Sequence, residues 1–249
     1  MRSLSTVGRI FFGIAIAAMG FLTIYNKDFP YMMLPPNHSW MNEHVVFIYV
    51  SGAILFLAGA GIVFNIKPTV VPLLLGCLLL LVFCFYFIPY QLMVSPNRMH
   101  YGDWENAAKE FGLASGAIVI AGCYRRKLFP FGTILFALTI FSFGIDHMVY
   151  GKEAMDYIPS WIPGHLFWIY FCGAALLGSS LAILLNIRRR LFAALLGGMI
   201  LIWVIILHTP KAIADTLTDH NGEVSSGFLA LAYCGIAFVI AGRSAKATS

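Results

Sequence analysis

Ser160-Trp161-Ile162-Pro163-Gly164-His165-Leu166-Phe167-Trp168-Ile169-Tyr170-Phe171-Cys172-Gly173-Ala174 is the stretch on which the reading of the fold turns, because the chain carries a second copy of it. That copy stands 121 positions earlier, at Ser39-Trp40-Met41-Asn42-Glu43-His44-Val45-Val46-Phe47-Ile48-Tyr49-Val50-Ser51-Gly52-Ala53. Ser, Trp, His, Ile, Tyr, Gly and Ala recur in register. In each copy a polar, turn-like lead-in runs into an apolar helix.

The correspondence extends outward. At the same offset Asn65-Ile66-Lys67 matches Asn186-Ile187-Arg188 and Pro89 matches Pro210; Ile120-Ala121-Gly122 matches Ile240-Ala241-Gly242 at an offset of 120. Before the motif the register shifts by three residues, because the first loop, around Leu34-Pro35-Pro36-Asn37, is longer than its counterpart.

Composition names the solvent. The residues are 60% hydrophobic and 11% charged, against about 45–50% and about 25% in soluble domains. A soluble domain of this length could not bury so much apolar surface. Eight apolar runs, near 9–27, 43–64, 69–90, 106–123, 129–150, 164–186, 190–208 and 224–242, have the length of membrane-spanning helices, which need roughly 20 apolar residues each. The sequence therefore predicts an all-α polytopic membrane protein. Its eight spans form two tandem four-helix repeats, 1–127 and 128–249. An even number of spans per repeat puts both halves in the same orientation, related by a pseudo-twofold axis along the membrane normal.

The net charge of +5 informs through its distribution. With the N-terminus inside, eleven of the sixteen Lys and Arg residues fall on the inner side and five on the outer, as the positive-inside rule requires. Both termini are then cytoplasmic. The basic residues form short clusters beside apolar runs, so they are no nucleic-acid footprint. Arg2 and Arg9 before an apolar core resemble a signal peptide; the matching fifth span, near Phe131, argues that the first span is retained. Of the five cysteines, none forms a C-x-x-C pair. Cys77 and Cys84 share a helix face, where packing is the simpler reading.

All eleven acidic residues and all seven histidines fall on the outer side or in the outer halves of spans. His38, His100 and His220 are loop residues; His44, His147, His165 and His208 stand near helix ends. In the second half His147 follows Asp146, His165 opens the sixth span, and His208 precedes Thr209-Pro210. Ionisable residues at membrane depth are costly and point to function. His165, His147, Asp146 and His208 are therefore the candidate proton-handling or quinol-contacting residues. A haem or transition-metal site would need tertiary convergence, since no H-x-x-H, H-x-x-x-H or E-x-x-H spacing pairs two ligands on one helix face. Interfacial hydrogen bonding is the plain alternative for each histidine. The first half keeps His44 but has Phe87 for His208 and Thr23 for His147, so the sequence predicts one site, built mainly by the second half. Lys109 and Glu110 enter the fourth span together; a snorkelling pair competes there with Glu110 as a proton acceptor.

Asp146-His147, Pro159 to Tyr170, His208-Thr209-Pro210, and Trp104 to Glu110 followed by Leu113-Ala114-Ser115-Gly116-Ala117 together resemble DoxX-like membrane proteins. The resemblance covers most of both repeats through short motifs, and the eight-helix tandem form departs from the commoner four-helix unit. It implies an inner-membrane protein of bacteria, a subunit or accessory of a quinone-linked oxidoreductase that works beside a redox partner protein. A non-catalytic membrane scaffold and a small-molecule transporter are the alternatives.

Overall fold

The computed structural model describes residues 2–35, 45–214 and 222–243. The lead-in of the first motif copy, with Trp40 and His44, lies outside the described residues, as do His38, His220 and Lys246. Among the described residues the regular structure is all helical. Eight long helices follow one another: α1 (Arg2–Asn26), α2 (Val45–Val63), α3 (Val70–Met93), α4 (Glu105–Gly122), α5 (Leu128–Val149), α6 (His165–Leu184), α7 (Arg189–Ala214) and α8 (Glu223–Gly242). Seven of them are long and apolar enough to cross a membrane, which makes this a multi-pass membrane protein. The exception is α4, whose first two turns hold Glu105, Lys109 and Glu110.

Two connections show how local chemistry ends a helix. After α2 the chain turns through Asn65 (φ 59°) and Lys67 (φ 41°); after α6 it turns through Asn186 (φ 57°) and Arg188 (φ 40°). Asparagine tolerates this left-handed conformation better than most residues. The reversal lets Ile66 N–H reach back to Gly61 O at 2.8 Å and Ile187 N–H to Ala182 O at 2.9 Å. Those six-to-one bonds satisfy carbonyls that a helix end otherwise strands. At the first turn Tyr124 OH also donates to Asn65 Oδ1 at 2.6 Å.

Packing sorts the helices into a centre and a ring. Each of α4 and α8 has three helical neighbours: α4 lies against α3, α5 and α8, and α8 against α7, α1 and α4. The outer neighbours pair as α1 with α2, α5 with α6 and, more loosely, α2 with α3 and α6 with α7. Consequently α4 is buried all round from Gly112 to Gly122 and α8 from Ala232 to Gly242, whereas α2, α3 and α7 keep an apolar face outward. Such a face is what lipid solvates. Cys77 and Cys84 sit on it, so they project from α3 and do not pack in the core. Small residues set the closest approaches. A Cβ on Gly59 would lie 2.3 Å from Ala17 N, and one on Gly112 would lie 2.0 Å from Tyr233 Oη. Both are intramolecular contacts, in line with small residues letting helix backbones meet.

Pro89 and Pro210 lie inside helices, one turn before their ends. Near Pro89, α3 changes to a π turn at Phe83–Phe87 and continues to Met93; near Pro210, α7 changes to a π turn at Val204–His208 and continues to Ala214. Proline lacks an N–H and its ring collides with the carbonyl four residues back. A widened turn removes that collision, with Ile88 N–H reaching Phe83 O and Thr209 N–H reaching Val204 O. The Thr209 hydroxyl adds a 2.7 Å bond to the same Val204 carbonyl. Inside a bilayer, side chains and local helix adjustment are how freed backbone groups are satisfied.

Candidate outer-side site

A cavity of ≈ 390 Å³ opens where the π turn of α3, the start of α4 and the C-terminal half of α5 meet. Its wall is largely aromatic and small: Phe83, Ala107, Ala108, Phe111 and Phe143. Leu138, half-exposed on α5, borders the cavity and opens it onto the surface of the bundle. Glu105 and Asp146 supply carboxyls, and Thr139 and Ser142 complete the α5 side.

A one-turn 3-10 strap, Tyr101–Trp104, roofs the cavity just before α4. One bond ties it to α5 and two more brace the segment internally. Tyr101 OH donates to Ser142 O at 3.1 Å, Trp104 Nε1–H donates to Arg98 O at 3.0 Å, and His100 Nδ1 lies 3.2 Å from Asp103 Oδ1. The His100 ring also rests on Tyr150, centroids 4.7 Å apart. Burial pushes the Tyr101 phenol up from its ordinary value; the bond to Ser142 opposes that and the nearby Asp146 charge adds to it. The phenol therefore stays a neutral donor at physiological pH.

Polar side chains continue around the start of α4, the end of α7 and the start of α8. Lys109 Nζ pairs with Glu105 Oε1 at 3.0 Å and reaches Asn106 Oδ1 at 3.3 Å. Glutamate four residues before lysine is the favourable order on a helix, worth about 0.2–0.5 kcal/mol. Glu223 opens α8, where the helix dipole favours an acid, and Lys211 Nζ lies 3.3 Å from its Oε1. His208 Nδ1 stands 3.5 Å from Glu223 Oε2, an ion-pair distance without hydrogen-bond geometry. Lys211 also sits 4.8 Å over the Tyr157 ring.

The residues singled out in the sequence separate in three dimensions. Asp146 faces the cavity and lies within electrostatic range of Glu105 and Lys109. Its neighbour His147 turns the other way: its Nδ1–H donates to Phe143 O at 2.8 Å, and its Cβ would meet a Cβ on Gly173 of α6 at 2.9 Å. His165 is half-buried at the start of α6, behind Gly164 (φ 72°). His208 belongs to the α7–α8 cluster. One helical step of about 100° per residue explains why adjacent Asp146 and His147 face different helices. Among the described residues no three His, Cys, Asp or Glu side chains gather in a metal-holding group.

Glu110 also departs from expectation. Lys109 turns to Glu105, while Glu110 points into the bundle centre, 0% exposed, with neither carboxyl oxygen partnered. Beside it stands Tyr233 of α8, fully within the core, whose hydroxyl donates to Lys109 O at 2.9 Å. The cavity wall itself was half visible in the sequence, through Trp104-Glu105 and Asp146. Tyr233, Phe83 and Phe111 carried no signal beyond membership of apolar spans. No family model, characterised protein or solved structure matches this chain.

Proposed function

We propose that this chain is a DoxX-like inner-membrane subunit in tandem form, which holds a quinol-type lipid-soluble carrier at the outer cavity beside a partner protein that takes the electrons. The observation that carries the reading is the cavity: its size is within the roughly 300–1,000 Å³ of small-molecule sites, its wall is aromatic, its mouth opens onto the surface of the bundle, and two carboxyls stand at its edge. A quinol, once bound, supplies two electrons and two protons on oxidation. Phe83, Phe111 and Phe143 would stack its ring, Asp146 would accept the proton of one hydroxyl, and the Tyr101 oxygen, whose own hydrogen is given to Ser142 O, would accept a hydrogen bond from the other. Glu105 and Lys109, at the outer surface, would pass the proton on to water.

The tandem form has its own support. Exchanging each of α1–α4 with the helix four places later reproduces the neighbour pattern: α1–α2 becomes α5–α6, α3–α4 becomes α7–α8, α4–α5 becomes α8–α1, and α4–α8 maps onto itself. The two π turns, Phe83–Phe87 and Val204–His208, stand 121 positions apart, as do the left-handed residues Asn65 and Asn186. In this reading the cavity straddles the junction of the halves, since α3 and α4 come from the first and α5 from the second. Cytoplasmic termini follow from the inner arginine clusters.

The test uses purified protein in lipid nanodiscs and a short-chain quinone, with tryptophan quenching as the readout, because Trp104 borders the cavity. Saturable quenching is expected. Ala108→Phe, which fills the cavity, should abolish it, and Asp146→Asn should weaken it with the unfolding temperature unchanged. Quenching that survives Ala108→Phe in the folded protein overturns the assignment and leaves the scaffold reading.

A further inference from the structure

Glu110 is not explained by the outer cavity. Ala107 and Phe111 of the same helix line that cavity and Glu110 does not. Its carboxyl lies instead at the centre of the bundle, little more than one turn beyond the start of α4, fully buried and with both oxygens unpartnered. A donor within electrostatic range, the Tyr233 hydroxyl, is committed to Lys109 O. Gly112 makes that commitment possible, since any side chain there would occupy the hydroxyl's position. Tyr233 itself belongs to the apolar core cluster of the bundle, with Met19, Met32, Leu113, Phe136 and Leu229.

A fold does not gain stability from such a group. A buried carboxylate charge without a partner costs several kcal/mol, on the order of a whole domain's stability, and a buried uncharged polar group still costs about 1–3 kcal/mol when unsatisfied. Leucine or methionine would fill the space without that penalty. Ionisable residues retained at membrane depth belong to ion and proton pathways as a rule.

We propose that Glu110 is a proton-exchange carboxyl inside the membrane, taking up and releasing one proton by way of the polar cluster at the outer ends of α4, α7 and α8. The groups that face it or border its route are Tyr233 from α8, Lys109 and Glu105 on its own helix, Asp146 from α5, and His208, Lys211 and Glu223 at the outer surface. Along α1 the buried Thr23 hydroxyl is bonded to Met19 O; α3 contributes no acid, amine or imidazole. The proposal does not depend on the quinol reading, because it concerns a group outside that cavity.

The experiment uses the full chain in lipid nanodiscs and a hydrophobic carbodiimide, dicyclohexylcarbodiimide. This reagent takes the acid's proton onto nitrogen while a carboxyl oxygen bonds its central carbon; rearrangement then leaves a stable N-acylurea. Mass mapping should find the adduct on Glu110, with yield falling about tenfold per pH unit above the midpoint, the slope of a single proton. Glu110→Gln should remove the adduct with the unfolding temperature unchanged, and Tyr233→Phe should shift the midpoint. Difference infrared spectroscopy gives a second readout free of reagent access: a carboxyl C=O band that titrates in the native chain and is missing in Glu110→Gln. A band that does not titrate at any pH overturns the proposal. So does labelling blocked by sodium at constant pH, which makes the site one for a metal cation instead.

Discussion

At the scale of single residues, the meaning of a polar side chain depends on which neighbour its helix turns it toward. Asp146 and His147 are adjacent in the chain, yet one borders a cavity and the other closes on a backbone carbonyl of its own helix. Replacing His147 with Phe should therefore leave quinone quenching of Trp104 intact, while Asp146→Asn weakens it; nanodisc fluorescence titrations distinguish the two. Gly112 and Tyr233 give a second contrast. Tyr233→Phe removes one hydrogen bond, worth about 0.5–1.5 kcal/mol. Gly112→Val forces a side chain into the space of the Tyr233 hydroxyl, and overpacking of that kind costs about 1–3 kcal/mol or more. Thermal unfolding in detergent should show the glycine variant falling well below the tyrosine variant; equal losses would contradict the packing described here.

At the scale of elements, the π turns are the feature with most leverage. The turn at Phe83–Phe87 begins at a residue that lines the cavity, and Phe83 rests there on Phe111 with centroids 4.9 Å apart. Pro89 makes regular α geometry unfavourable there. Pro89→Ala permits a regular helix and a different rotation, so the variant should keep its fold and lose quinone affinity. Retained affinity would show that Phe83 is placed by contacts on α4 rather than by the turn. The same kind of turn at Val204–His208 carries His208 toward Glu223, so Pro210→Ala should disturb the α7–α8 cluster and leave the cavity unaffected.

For the whole molecule, the contacts of α4 and α8 matter most. Each joins helices from both halves of the chain, and α1 packs on α8 across the full sequence. Neither 1–127 nor 128–249 can bury its central helix alone. Co-expressed as separate chains, the two segments should copurify and reproduce the carbodiimide labelling of Glu110, and either one alone should be degraded. Independent stability of one segment would mean that the halves are joined by the linker more than by the interface.

How much of this was legible beforehand follows from what each property depends on. Membrane residence and the number of long helices are set by composition and run length, and the sequence determined both; so did the turns after α2 and α6, because Asn65 and Asn186 satisfy local backbone geometry. The recurrence of the Ser160–Ala174 pattern is likewise a property of the chain itself. The facing of side chains was different. Adjacent positions on a helix diverge by about 100°, and in a span that is apolar all round no polar stripe marks the inward side. The tertiary structure alone decided that Asp146 meets a cavity while His147 does not, that Lys109 pairs outward with Glu105, and that Glu110 is turned into the centre beside Tyr233.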